Sequence, residues 1–164
     1  MKKTLFLMSL FALVLVGAGC DRSFDWDFGD SDYQYDDYAW GDYDSIPSAK
    51  LTVPVSVTVG ESFDIMAHVT HNSDETQLLH SIDIGGSYLE GIAVTSSIPD
   101  FSQSYYLDDG TYTHTFLTDV PAGDGVDIVF HAVALESGNW KGAFDVCFDD
   151  GINCSFYTVS TFVE

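Results

Sequence analysis

From Leu51 onward the chain is a succession of short segments in which apolar and polar residues alternate, cut by turns that contain glycine. A two-residue period places alternate side chains on opposite faces of an extended backbone, so it specifies strands with one buried face and excludes helices. No ten-residue window shows a helical period. Strands are predicted over 53–59, 62–70, 78–84, 88–95, 111–117, 126–135, 143–148 and 153–163. Seven or eight strands suit a sandwich of two antiparallel sheets.

Individual segments assign the faces. Val126, Ile128, Phe130, Ala132 and Ala134 share one face of their strand, as do Phe63, Ile65, Ala67 and Val69 of theirs. Both sets are read as facing the core. In the last strand the same reading puts Phe156 and Phe162 inward, with Cys154, Thr158 and Ser160 beside them. The turns agree. Val59-Gly60-Glu61, Asp109-Gly110, 121–125 and Asp150-Gly151 each offer a glycine where the chain must reverse, often through a positive φ.

Two phrases carry a resemblance. Val57-Thr58-Val59-Gly60-Glu61-Ser62-Phe63, followed by Val69-Thr70-His71-Asn72-Ser73-Asp74-Glu75, resembles the opening strands of the bacterial immunoglobulin-like repeats of the CARDB and DUF11 kind. Val120-Pro121-Ala122-Gly123 before the strand at 126–135, and Gly138 in a later loop, continue the likeness over most of 51–160. The resemblance implies an immunoglobulin-like β-sandwich and work in adhesion, spacing or surface assembly. The inter-sheet pin of antibody domains is missing, because Trp140 stands alone and late.

The first fifty residues are of another character. Lys2 and Lys3 precede an apolar run from Leu5 to Val16, and small residues follow up to Cys20. The run falls short of the roughly 20 residues a spanning helix needs, and it ends in glycines, so a signal peptide over 1–19 is expected, with a retained membrane anchor as the rival reading. Val16-Gly17-Ala18-Gly19-Cys20 resembles the lipobox of bacterial lipoproteins. That resemblance implies cleavage before Cys20 and acylation of its thiol with palmitate-type chains. The protein would then be lipid-anchored to the cell membrane or the outer membrane, facing the periplasm or the exterior.

Residues 20–50 hold nine Asp and eight aromatics, without Val or Leu. Closely spaced negative charges oppose both collapse and pairing, so this stretch is read as a disordered linker. Its aromatics, spaced by carboxylates, also suit contact with a basic partner. The folded domain is assigned to 51–164.

Charge narrows the partners. The net charge is −21, and beyond Lys50 only Lys141 is basic, so no basic stripe exists to neutralise phosphates and nucleic acid is excluded as a partner. A protein partner in the envelope or outside the cell is expected. Calcium is the alternative ligand, gathered by acidic loops such as Asp108-Asp109, Asp124 with Asp127, or Asp145 with Asp149-Asp150. The series Asp25, Asp27, Asp30, Asp32 fails the EF-hand template.

A two-residue turn at Asp150-Gly151 would pair 148 with 153 and 147 with 154, setting Cys147 opposite Cys154. Directly opposed residues lie within disulfide reach, and an exported chain can meet an oxidising compartment, so a Cys147–Cys154 disulfide is predicted. The spacing suits neither a redox Cys-x-x-Cys pair nor a metal site. His68 and His71 should point to opposite faces, and His80, His114 and His131 are read as strand residues. No nucleophile elbow, metalloprotease helix or phosphate loop is present, so neither enzyme activity nor a cofactor is expected.

Overall fold

The computed structural model describes residues 46–164, so the signal peptide, Cys20 and nearly all of the acidic linker lie outside the described residues. The described chain is a sandwich of two sheets, antiparallel in every pairing but one. Its elements are β1 (Ser48–Thr52), β2 (Ser56–Val57), β3 (Ser62–Thr70), β4 (Gln77–Gly85), α1 (Gly86–Leu89), β5 (Ile92–Ile98), β6 (Gln103–Tyr106), β7 (Thr111–Val120), β8 (Gly125–Ala134), β9 (Gly138–Phe148) and β10 (Asn153–Val163). One sheet runs β1-β3-β8-β5 and the other β2-β10-β9-β4-β7-β6. These two sheets make the β-sandwich that the alternation predicts and that the resemblance to immunoglobulin-like repeats implies.

The best-predicted strands are the central ones. Along β3, Phe63, Ile65, Ala67 and Val69 are buried, and along β8 so are Ile128, Phe130, Ala132 and Ala134. They meet Leu79, Ile82, Ile84, Phe144, Val146 and Phe148 from the facing sheet. Phe130 anchors this core through edge-on contacts with Phe116, Phe144 and His114, at centroid distances of 5.7, 6.0 and 5.2 Å. Such geometry sets the positive ring edge against the negative face.

Three segments depart from the prediction. The strand expected over 53–59 is two strands, because the chain changes sheets there: β1 pairs with β3, while β2 pairs in parallel with the end of β10. Pro54 falls between them, where a missing N–H removes nothing from either ladder. β1 also begins at Ser48, within the stretch read as linker.

The strand expected over 88–95 opens instead with α1 and continues as β5. Tyr88 turns inward there, fully buried, and its hydroxyl bonds Thr161 Oγ1 at 2.9 Å. The turn fits because Gly142 lies beneath, where an added Cβ would come within 2.8 Å of Tyr88 Cβ. The alternation gave no sign of β6, which forms a hairpin with β7 closed by Leu107 N–H to Thr111 O at 2.9 Å.

In β10 the assigned faces are reversed. Tyr157, Val159, Thr161 and Val163 turn toward the core, while Phe156 is 76% exposed and Phe162 48%. The pattern alone could not choose, since both faces of 153–163 carry large apolar residues.

Candidate functional site

The outer face of the six-stranded sheet carries the chemistry. Antiparallel registers align five residues in one row across five strands: Tyr105 opposite Thr113, Thr113 opposite Asp83, Asp83 opposite Asp145, and Asp145 opposite Phe156. Alternation turns all five away from the core, because their neighbours Ile82, Ile84, His114, Phe144 and Val146 fill it. Residues directly opposite one another on the same face have Cβ atoms about 4.5–5.5 Å apart, so the two aspartates confront each other as like charges.

The pair is electrostatically costly. Burial is the main cause that pushes the Asp145 carboxyl up to about 6, with the charges of Asp83 and Asp109 adding to it. Asp83 is also raised, chiefly by burial, against the lowering influence of the nearby Thr113 and Ser81 hydroxyls. Thr113 is 3% exposed, and neither its Oγ1 nor Asp83 Oδ1, both buried, closes a hydrogen bond. Asp109 is fully exposed and held low by Thr111, whose N–H and hydroxyl donate to it at 3.0 and 2.7 Å.

The next row along the strands holds the cysteines. Cys147 lies opposite Cys154, their Cα atoms 4.1 Å apart and their sulfurs joined in a disulfide between β9 and β10. The register is the one the Asp150-Gly151 turn predicts, with Ile152 N–H donating to Asp149 O at 3.1 Å across the turn. Cys147 Sγ lies 4.0 Å from Asp83 Oδ2, so the bridge forms one border of the carboxyl pair.

β10 adds an edge. β2 covers only its end, where Phe162 and Glu164 N–H donate to Val55 and Val57 carbonyls at 2.9 Å each. Among the described residues, no strand pairs with 153–161 on that side. Phe156 stands beside this open stretch.

The outer face of the four-stranded sheet carries a different pattern. His68 and Asp127 pair across β3 and β8 at 2.7 Å, and Asp64 and His131 pair across the same strands at 2.7 Å with the partners exchanged. Met66 and Val129 lie between them. His71 is buried past the end of β3, with Nε2 2.9 Å from Val120 O. His114 is buried among Phe101, Tyr112 and Phe130, and burial lowers its pKa.

The acidic loops named for calcium build no metal site, although the charge of Asp109 acts on Asp145. Asp127 is engaged by His68, Asp149 accepts from Asn153 Nδ2 at 3.0 Å, and Asp109 accepts from Thr111. Among the described residues, no group of three His, Cys, Asp or Glu could hold a metal ion. The sequence reading missed the Asp83–Asp145 pair, and the only available signal was the matched outward phase of two strands 62 positions apart.

The geometry defines a two-sheet β-sandwich domain with a polar and aromatic outer face. No protein-family model and no curated protein matches the chain, so the CARDB and DUF11 likeness stands on its strand and turn phrases alone. Among solved structures, it is similar to the cohesin module from a Clostridium perfringens family 33 glycoside hydrolase, at 15% identity and TM-score 0.47, covering 73% of this chain and 99% of that one. It is similar to native Escherichia coli alpha-2-macroglobulin at 14% identity and TM-score 0.49, covering 72% of this chain and 6% of that one. It is also similar to the C-terminal domain of the Streptococcus pyogenes antigen I/II-family protein AspA, at 13% identity and TM-score 0.45, covering 66% and 41%. These are likenesses of sandwich architecture.

Proposed function

We propose that the chain is a bacterial lipoprotein, held to the envelope membrane by acylated Cys20, whose sandwich binds a protein partner through the outer face of its six-stranded sheet. Binding, rather than catalysis, is its role in this reading. The observation that carries it is the exposure of Phe156 and Phe162 on β10, beside a stretch of that strand whose main chain pairs with no further strand among the described residues, Pro47 and Ala49 touching it only through the Ser155 and Tyr157 hydroxyls. A bare strand edge offers main-chain donors and acceptors to an added strand, and exposed aromatics supply contact area at the centre of an interface. Soluble domains usually protect such an edge with charge or proline. The lipobox-like Val16–Cys20 segment and the acidic linker support a tethered domain standing clear of an anionic lipid surface.

The test is in-cell crosslinking of the full lipoprotein beside the Phe156→Ser/Phe162→Ser variant and a variant lacking residues 22–45. A partner captured by the full chain and by the linker deletion, and lost with the double substitution, is the expected result. Capture that survives the double substitution and disappears with the linker would assign recognition to the acidic aromatic strip and sink this reading.

A further inference from the structure

We propose that the outer face of the four-stranded sheet is a docking surface for a second copy of this chain, laid on it face to face. This is the opposite side of the sandwich from the partner-binding face above, and the two readings stand independently. Three observations carry it. The first is the pattern of charge. On β3 the outward residues Asp64, Met66 and His68 stand in line, and on the antiparallel β8 Asp127, Val129 and His131 do the same. Asp64 therefore lies opposite His131, Met66 opposite Val129 and His68 opposite Asp127. The four corners of this rectangle alternate in sign when the imidazoles carry a proton. A copy turned over and laid on it sets an imidazolium above every carboxylate, whether it is turned about the strand direction or across it. Such a patch is complementary to itself, as an interface built on a two-fold axis requires.

The second observation is unused bonding capacity. Each Nδ1 meets its own chain's carboxylate at 2.7 Å, while among the described residues neither Nε2 makes a hydrogen bond, and the four side chains are 40–67% exposed. An imidazolium donates from both nitrogens, so Nε2 is left for the copy. His68 has Lys50 of β1 and Asp127 of β8 beside it, and His131 has Asp64 of β3 and the uncharged Ser96 of β5. The third is the make-up of the face. Met66, Val129 and Ile98 form an apolar row between the two ion pairs, with Met66 42% and Ile98 59% exposed. Lys50 and the four corner residues are the charged or titratable groups that point outward from this sheet, so the face lies within one charge of neutral in a chain of net charge −21. Two copies meet here with little local repulsion. Four strands about 4.8 Å apart, paired over about 30 Å, give roughly 500 Å² per copy. Twice that is near the lower bound of about 1,000 Å² for a specific interface, so the dimer is weak and concentration-dependent.

The test is sedimentation equilibrium of the full chain in excess neutral detergent matched in density to the solvent, so that protein mass alone is read. At pH 6.0 the mass is expected to rise with concentration toward twice that of one chain, and the rise to weaken at pH 8.5, where imidazoles lose their proton. His68→Asp/His131→Asp makes the rectangle all acidic and Asp64→Lys/Asp127→Lys makes it all basic. Each variant alone should stay at the mass of one chain, and an equimolar mixture of the two should recover the double mass, which also shows that both are folded. Met66→Glu, which leaves the four corners intact, should weaken the parent dimer at least tenfold. A parent that is monomeric at every concentration, association undiminished at pH 8.5, a dimer retained by either single-sign variant, or a mixture no heavier than its parts would each overturn the proposal. If the parent is monomeric and Met66→Glu loses the cellular partner, the face belongs to a different protein and the proposal falls.

Discussion

At the scale of single residues, the half-buried Asp145 and the buried His114 pull stability in opposite directions as pH changes. Asp145 has a folded pKa of about 6, above the 3.8 of a free carboxyl, with Asp83 and Asp109 as its charged neighbours. Between those values the folded chain keeps a proton that the unfolded chain has released, so acidification from pH 7 toward pH 4 stabilises the fold through this group. His114 has the opposite sense. Its pKa is lowered by burial among Phe101, Tyr112 and Phe130, and below about pH 6.5 the unfolded chain takes up a proton that the folded one refuses. Asp145→Asn should therefore raise stability at pH 7.5 by roughly 1 kcal/mol, a figure discounted for solvent screening of a half-buried carboxyl. The same variant should show no such gain over the parent at pH 4. Urea midpoints of parent and variant at both pH values check this, and an equal difference at the two would refute the assignment. Neither group was legible in the sequence. Asp83 and Asp145 are ordinary outward aspartates until register sets them side by side, and His114 looks like any strand histidine until Phe130 packs on it.

At the scale of elements, legibility followed the contrast between strand faces. β3 and β8 alternate apolar with polar at nearly every step, and their registers, such as Ile65 with Phe130, match the predicted core faces. β10 carries aromatics on both faces, so pattern could not tell Phe156 from Tyr157, and packing against β9 decided. The final hairpin was readable because turn chemistry fixes register over a few residues. Cys147 and Cys154 are seven positions apart, and the bridge closes a short loop. Chain-entropy arithmetic for such a loop gives about 2–3 kcal/mol. Cys147→Ser/Cys154→Ser should lower unfolding free energy by about that amount in denaturant titration, and no loss would show that the hairpin's pairing suffices alone. The start of β5 was illegible for a different reason: it depends on the close approach of Gly91 to Trp140. An added Cβ at Gly91 would meet the Trp140 ring at 1.9 Å, and that indole is held by Nε1–H donating to Glu136 O at 2.8 Å. Gly91→Ala should cost about 1–3 kcal/mol as the indole is displaced. Trp140 fluorescence should shift with it, and an unchanged spectrum with unchanged stability would contradict this packing.

At the scale of the whole molecule, charge, anchor and binding face constrain one another. A chain of net charge −21 is repelled by an anionic membrane surface, so electrostatics alone would send the domain away from the bilayer. If acylated Cys20 holds it there, the anchor must overcome that repulsion through buried methylenes, each contributing about 0.8 kcal/mol, and more than one acyl chain is needed for stable attachment. The linker between Cys20 and Ser48 then sets how far the outer face of the six-stranded sheet can reach. Membrane association should thus depend on Cys20 and on nothing in the sandwich. Cys20→Ser should abolish incorporation of an alkyne-bearing palmitate analogue and move the protein from the membrane to the soluble fraction. Asp145→Asn and Phe156→Ser/Phe162→Ser should leave both readouts unchanged. Partner capture should fail in Cys20→Ser if the partner lies in the same membrane, and persist if it is soluble, which places the partner as well as the anchor. Label retained on Cys20→Ser, or a parent protein that never partitions with membranes, would overturn the lipoprotein assignment and leave the sandwich to find its partner in solution.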